Sequence, residues 1–202
     1  MSRTQSTMLP LGTILPIFEL KDISSCFKEK EQQSNFLSTS LDSKPILIML
    51  ICTHCPFVKL LESEISKLEK DFKEYIQFIA VSSNSLKTHP QDAPEFMENQ
   101  YKSNQWTFPY LFDEEQSLAK ELRAACTPEF YLFDYFSNNN HQLVYRGQFD
   151  ESRPGNNITP SGLDVRNAIN CVLSDKAPSA DQKPSIGCNI KWHPGEEPNW
   201  FV

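Results

Sequence analysis

The chain has 202 residues, with 26 acidic and 19 basic side chains, a formal net charge of −7 and a pI near 5.1. That length suits one domain with appendages and a sizeable core, and the acidic balance argues against a nucleic-acid surface. The N-terminal segment Met1-Ser-Arg-Thr-Gln-Ser-Thr-Met-Leu-Pro10 has no signal-peptide core, and the longest apolar run, residues 46–52, is too short to cross a bilayer. A soluble cytoplasmic protein with no membrane partner is the expectation.

Residues 1–15 read as loosely ordered, and Ile17-Phe-Glu-Leu-Lys21 as a short strand. Residues 24–43 are polar and mixed, a hairpin or loop. Residues 45–51 form a continuous apolar run, the pattern of a strand buried on both faces. Phe57, Leu60, Leu61, Ile65, Leu68 and Phe72 then recur at helical spacing. Residues 75–81 predict a second buried strand. Residues 93–104 predict a helix opened by Pro94. Residues 110–112 predict a short strand. Asp113 or Ser117 starts a helix carrying Leu118, Ala119, Leu122 and Ala125. Residues 130–133 and 142–146 predict two hairpin strands joined by a turn at residues 137–140, and residues 161–173 a last helix. The remaining Pro-rich stretch has no period and is expected to wrap on the body. Strands separated by helices imply crossovers and a parallel core, and the hairpin makes the sheet mixed, so the fold class is α/β with helices flanking a mixed central sheet.

Cys52-Thr53-His54-Cys55 lies between the apolar run and the helix that begins Pro56-Phe57. A helix N-terminus carries partial positive charge and free N–H groups, which favour thiolate over thiol. Two cysteines at this spacing close a small ring, so one sulfur can release what the other has captured. In a reducing compartment six cysteines do not make a disulfide scaffold, and a CxxC there points to catalysis or metal binding. Cys52 comes first and is expected to be the more exposed sulfur and the nucleophile, with a lowered pKa. Cys55 is then the resolving thiol, and His54 between them stabilises the thiolate when protonated.

The element order, the CxxC at the first strand-to-helix junction and Thr127-Pro128 before the hairpin together resemble the thioredoxin fold over residues 12–175. More narrowly, Gly12-Thr-Ile-Leu-Pro16, Cys52-Thr-His-Cys-Pro-Phe-Val-Lys59, Ala125-Cys-Thr-Pro-Glu-Phe130, Leu143-Val-Tyr-Arg-Gly147 and Pro184-Ser-Ile-Gly-Cys-Asn-Ile-Lys-Trp192 resemble the peroxiredoxin-like redoxin branch, the alkyl hydroperoxide reductase/thiol-specific antioxidant group. The resemblance implies a cis Thr127–Pro128 bond beside the dithiol. It places Cys55 at that branch's peroxidatic position and Cys52 where it carries a Thr or Ser hydroxyl. The Trp and buried Asp that thioredoxin sets before its first cysteine are Ile51 and Ile46 here.

Cys126 and Thr127 precede that proline. Cys126 is either a third thiol within reach of the pair or a small packing residue. Cys188 in the tail either fixes the tail by packing or acts as a resolving thiol. Cys26 and Cys171 read as packing residues. Arg146 and Arg153 would polarise a peroxide if they faced the sulfurs; salt bridges to Asp150, Glu151 or Asp134 are the ordinary alternative. His89, His141 and His193 read as solvated loop residues. Cys52, Cys55, Cys188 and His193 form the one conceivable zinc set, but their spacing is not that of a zinc site, so no metal or other cofactor is expected.

The sequence therefore predicts a thiol-disulfide oxidoreductase body at residues 12–175 and a docked tail at residues 176–202. Its partners would be oxidised protein thiols, small disulfides or peroxides, with a thiol donor of the thioredoxin or glutathione type. A thiol peroxidase using Cys55, and a redox-inert or metal-handling binding module, are the competing readings.

Overall fold

The structure, a computed structural model, describes residues 3–24, 34–136 and 140–201. Its strands are β1 (Arg3–Gln5), β2 (Glu19–Asp22), β3 (Ser34–Leu37), β4 (Ile46–Leu50), β5 (Gln77–Ser82), β6 (Tyr110–Phe112), β7 (Cys126–Thr127), β8 (Glu129–Phe136), β9 (Asn140–Gly147) and β10 (Ile186–Asn189). Its α-helices are α1 (Pro56–Phe72), α2 (Pro94–Asn104), α3 (Ser117–Glu121) and α4 (Leu163–Leu173).

Five consecutive apolar residues make β4, and all are buried. Such a strand must be covered on both faces. It lies inside a sheet of order β3-β2-β6-β5-β4-β8-β9, parallel to β5 and antiparallel to β8. Strand alternation divides its side chains between two cores. Leu47, Met49 and Ile51 pack with α1 and α4 through Val58, Leu61, Ile65, Leu68, Val165 and Ile169. Ile46, Ile48 and Leu50 pack on the other face with Leu118, Leu122, Tyr131, Ile190 and Trp192. The result is the thioredoxin fold, with α1 leaving the carboxyl end of the central strand. The Thr127–Pro128 peptide is cis.

Two features differ from the sequence reading or go beyond it. Residues 3–15 are not loosely ordered. β1 pairs with β10, and Gly12, Thr13 and Leu15 bond to Leu143 and His141 at 2.8–2.9 Å. An unpaired sheet edge offers backbone groups to any nearby segment, and a strand held only by such bonds leaves no apolar period in its sequence. The second surprise is a separate three-stranded sheet, β1-β10-β7, which ties both ends of the chain to the cis-proline segment. Within residues 24–43, expected as a hairpin or loop, Ser34–Leu37 form β3, which pairs with β2 outside that range; residues 25–33 lie outside the described residues. Cys26 and most of the turn at residues 137–140 lie outside the described residues.

Two glycines let the tail approach the body. A Cβ on Gly147, whose φ is +136°, would fall 2.0 Å from the Lys183 carbonyl oxygen, and one on Gly187 would fall 2.1 Å from that of Thr127. Beyond β10, Trp192 is buried and meets Trp200 and Phe201 edge-on, with Arg123 over the Trp200 ring. Burying an aromatic side chain of roughly 200 Å² returns about 5 kcal/mol before ordering entropy is subtracted. Gly187→Ala is therefore expected to lower stability by about 2 kcal/mol or more, measured as the urea midpoint with Trp fluorescence. An unchanged midpoint would show that β10 does not press on Thr127.

Candidate active site

The dithiol loop is held by one buried carboxylate. Asp92 Oδ1 accepts the Thr53 backbone N–H at 2.9 Å and the Thr53 hydroxyl at 2.7 Å, and Oδ2 accepts the Asn84 amide at 2.8 Å. His54 Nδ1 lies 2.7 Å from Oδ2, a close contact outside hydrogen-bond alignment. Burial opposes the Asp92 charge, but His54, Thr53 and Asn84 together hold its carboxyl below the usual carboxylate range. Gln100 donates to the Cys52 carbonyl at 3.2 Å and is itself oriented by Tyr110 and Glu62.

Neither sulfur is open to solvent: Cys52 is 1% exposed and Cys55 0%. Cys52 Sγ lies 3.3 Å from the Thr127 hydroxyl, and Cys55 Sγ 3.3 Å from the Thr127 carbonyl oxygen. Cys55 is the N-cap of α1, with Pro56 at the first helical position, where a missing N–H costs nothing. The electrostatics reverse the sequence expectation. Burial first, then Cys55 and Asp92, push the Cys52 thiol well above its ordinary range. Cys55 is pulled down, first by the Cys188 thiol and then by the Cys52 thiol, with the Val58 and Cys188 backbone N–H groups adding against the cost of burial. Of the two thiols it is Cys55, at the helix N-cap, that is held low, and Cys52 is neither the exposed nor the more acidic sulfur.

Cys188 is buried, its strand pairs with β7 so that Cys188 faces Thr127, and the neighbouring Cys55 and burial push its thiol up. Cys126, one residue away on β7, is buried with its sulfur 3.9 Å from the Pro128 carbonyl oxygen. No hydrogen bond joins it to the pair among the described residues. The salt bridges expected of two arginines are absent among the described residues. Arg146 donates to the Leu9 carbonyl and to Gln182 at 2.9 and 2.6 Å, and Arg153 to the Asp150 and Ser152 carbonyls, each at 2.6 Å. Both satisfy groups that the loops leave over. Arg153 also borders a small cleft with Phe57, Pro128 and Ile186.

The three other histidines are engaged as well. His89 stacks on His54 with centroids 5.3 Å apart, His141 contacts the Lys44 carbonyl, and His193 bonds Ser85 and the Glu114 carbonyl at 2.8 Å. Both ring nitrogens of His193 are thus occupied. The potential ligand atoms that do converge, within 4.8 Å of one another, belong to Cys52, His54 and Asp92.

Asp92, Asn84 and Gln100 were not singled out from sequence. An acid inside His89-Pro-Gln-Asp92 looks like an ordinary loop carboxylate, and only tertiary approach brings it to Thr53. A second buried acid, Glu129, lies across from Leu50 on β8. Its Oε2 accepts from the Ala125 N–H at 3.1 Å, while Oε1 has no hydrogen-bond partner.

The model of the AhpC/TSA family matches residues 11–149. No curated protein matches the chain. Among solved structures, an uncharacterised conserved protein from Geobacillus kaustophilus is 38% identical with a TM-score of 0.87, over 96% of this chain and 98% of that one. A hypothetical protein from Sinorhizobium meliloti 1021 is 38% identical at 0.86, over 95% and 100%. AhpC of Mycobacterium tuberculosis, 17% identical at 0.56 over 83% and 94%, shares the fold.

Burial is the chief cause that pushes the Glu129 carboxyl up from 4.5 to about 7, against Tyr131 and the Ala125 and Cys126 amides. The folded state thus holds this proton more tightly than the unfolded state. The stabilisation is full below the unfolded pKa near 4.5 and is lost as pH rises through about 7. Glu129→Gln is expected to flatten the stability profile across that window and to raise stability at pH 8 by roughly 3 kcal/mol. Urea titrations of both proteins at several pH values measure this; parallel profiles would mean that Glu129 is ionised in the folded protein.

Proposed function

Because the chain belongs to the AhpC/TSA family, we propose that it is a thiol-disulfide oxidoreductase working through reversible formation of a Cys52–Cys55 disulfide. The observation that carries the reading is the convergence of donors on Cys55 at the N-terminus of α1. The roles are exchanged relative to the sequence expectation. Cys55 thiolate attacks one sulfur of a substrate disulfide, forming a mixed disulfide and releasing the other sulfur as thiolate. Cys52 then loses its proton, for which the imidazole of His54, held by Asp92, is the nearby acceptor. The Cys52 sulfur attacks Cys55, closes the intramolecular disulfide and releases the second substrate thiol. A thiol donor of the thioredoxin or glutathione type returns the pair to the dithiol.

In this reading residues 12–175 are the catalytic body and residues 176–202 a tail whose β10 lies against Cys55. Opening of that cover admits oxidised protein thiols or small disulfides. A reducing cytoplasm suits the resting dithiol; among the described residues no helix is long and apolar enough to cross a membrane.

The acidity of Cys55 also favours a second reading, peroxide reduction with Cys55 as the peroxidatic sulfur, an antioxidant role. There the thiolate takes one peroxide oxygen to become sulfenic acid, water or alcohol leaves, and Cys52 condenses with it to the same disulfide and a second water.

With oxidised glutathione as substrate, Cys55→Ser is expected to abolish reaction, and Cys52→Ser to take glutathione onto Cys55 without forming the Cys52–Cys55 disulfide. Mass mapping of alkylated peptides reads both. An adduct trapped on Cys52 in Cys55→Ser would restore Cys52 as the attacking sulfur. Much faster oxidation of Cys55 by hydrogen peroxide than by the disulfide would select the peroxidase.

A further inference from the structure

Resting on the dithiol reading above, we infer that Cys188 is a third redox thiol, which takes over Cys55 from Cys52 by intramolecular thiol-disulfide exchange. Three features of the fold put it there. Antiparallel pairing sets Cys188 opposite Thr127, the residue whose carbonyl oxygen is 3.3 Å from Cys55 Sγ. Gly187, lacking a Cβ, lets β10 come close enough for this: any side chain there would fall on the Thr127 carbonyl. Cys52, Cys55 and Cys188 are buried in one continuous core, where no bulk water competes with exchange between them.

The step conserves disulfides. Cys188 gives up its thiol proton, and its sulfur attacks Cys55 Sγ along the Cys52–Cys55 bond. A Cys55–Cys188 bond forms, the Cys52–Cys55 bond breaks, and its electron pair leaves with the Cys52 sulfur, which takes up the proton. One disulfide is lost and one gained, so no further oxidant enters. In the dithiol state the Cys188 thiol is pushed up, first by its hydrogen bond to Cys55 and then by burial. When Cys55 enters a disulfide its anion disappears, which removes the largest cause of that rise and leaves burial opposed by Lys191. Oxidation of the pair therefore makes the third thiol easier to ionise than it is in the dithiol state. The product disulfide links the first residue of α1's cap to β10, so oxidation staples the tail to the body.

The test uses the full chain, its Cys52→Ser and Cys188→Ser variants, oxidised glutathione as oxidant, acid quenching, alkylation and peptide mapping. The expected result is both Cys52–Cys55 and Cys55–Cys188 peptide pairs in the parent protein, and Cys52–Cys55 alone in Cys188→Ser. In Cys52→Ser, a glutathione adduct on Cys55 should give way to Cys55–Cys188. The Cys52→Ser arm leaves β10 untouched, so it decides the matter even if Cys188→Ser folds poorly. The inference is overturned if the parent holds Cys52–Cys55 only and Cys52→Ser keeps its adduct with Cys188 fully alkylated. Absence of Cys52–Cys55 from both the parent and Cys188→Ser would instead overturn the dithiol reading, and the exchange with it.

Discussion

Three chain segments meet at Thr127. Its hydroxyl faces Cys52, its carbonyl faces Cys55, and its backbone pairs with Cys188 on a strand that only a glycine could bring so near. The cis peptide to Pro128 belongs to the same short segment. Helix α1, the central strand and both termini are therefore organised around one residue of the body. Moving β7 would disturb all three sulfurs at once, which explains why the tail and the dithiol are parts of one construction.

Electrostatics then separates three chemically identical side chains. Cys55 gathers the helix terminus, two thiol donors and two backbone N–H groups. Cys52 and Cys188 are pushed the other way, by burial and by the neighbouring anion they help to stabilise. A single negative charge shared in this manner satisfies a dry site that could not hold two. Asp92 supplies the second charge of the region at a distance from Cys55, compensated by Thr53, Asn84 and His54. Asn84 also accepts the Lys191 backbone N–H at 2.9 Å, so the network that fixes the CxxC loop extends into the tail.

Most of the sheet was legible because its signals are local. The apolar run at residues 45–51, the helical period after Pro56 and the punctuation at Thr127-Pro128 each reflect burial or geometry that neighbouring residues encode. Asp92, Gln100 and Asn84 were not legible, since each acts through a tertiary contact and sits in an ordinary polar context. β1 escaped notice because Arg3-Thr-Gln5 is joined by backbone bonds and buries little. The assignment of acidity to Cys52 failed for a related reason. Position in CxxC says which sulfur comes first, but the thiol and backbone N–H that do most to single out Cys55 from outside the motif belong to residue 188, far along the chain. The sequence leaves Cys188 open as a packing or a resolving residue; its place opposite Thr127 follows from a four-residue strand too short and mixed to declare itself.

The central claim is that Cys55 carries the resting negative charge. Ultraviolet thiolate absorbance followed during acid titration of the parent, Cys52→Ser and Cys55→Ser proteins tests it most directly. The account predicts one thiolate that persists well below the ordinary thiol range in the parent, survives in Cys52→Ser and vanishes in Cys55→Ser. A low-pH thiolate that is lost with Cys52 and retained without Cys55 would contradict it.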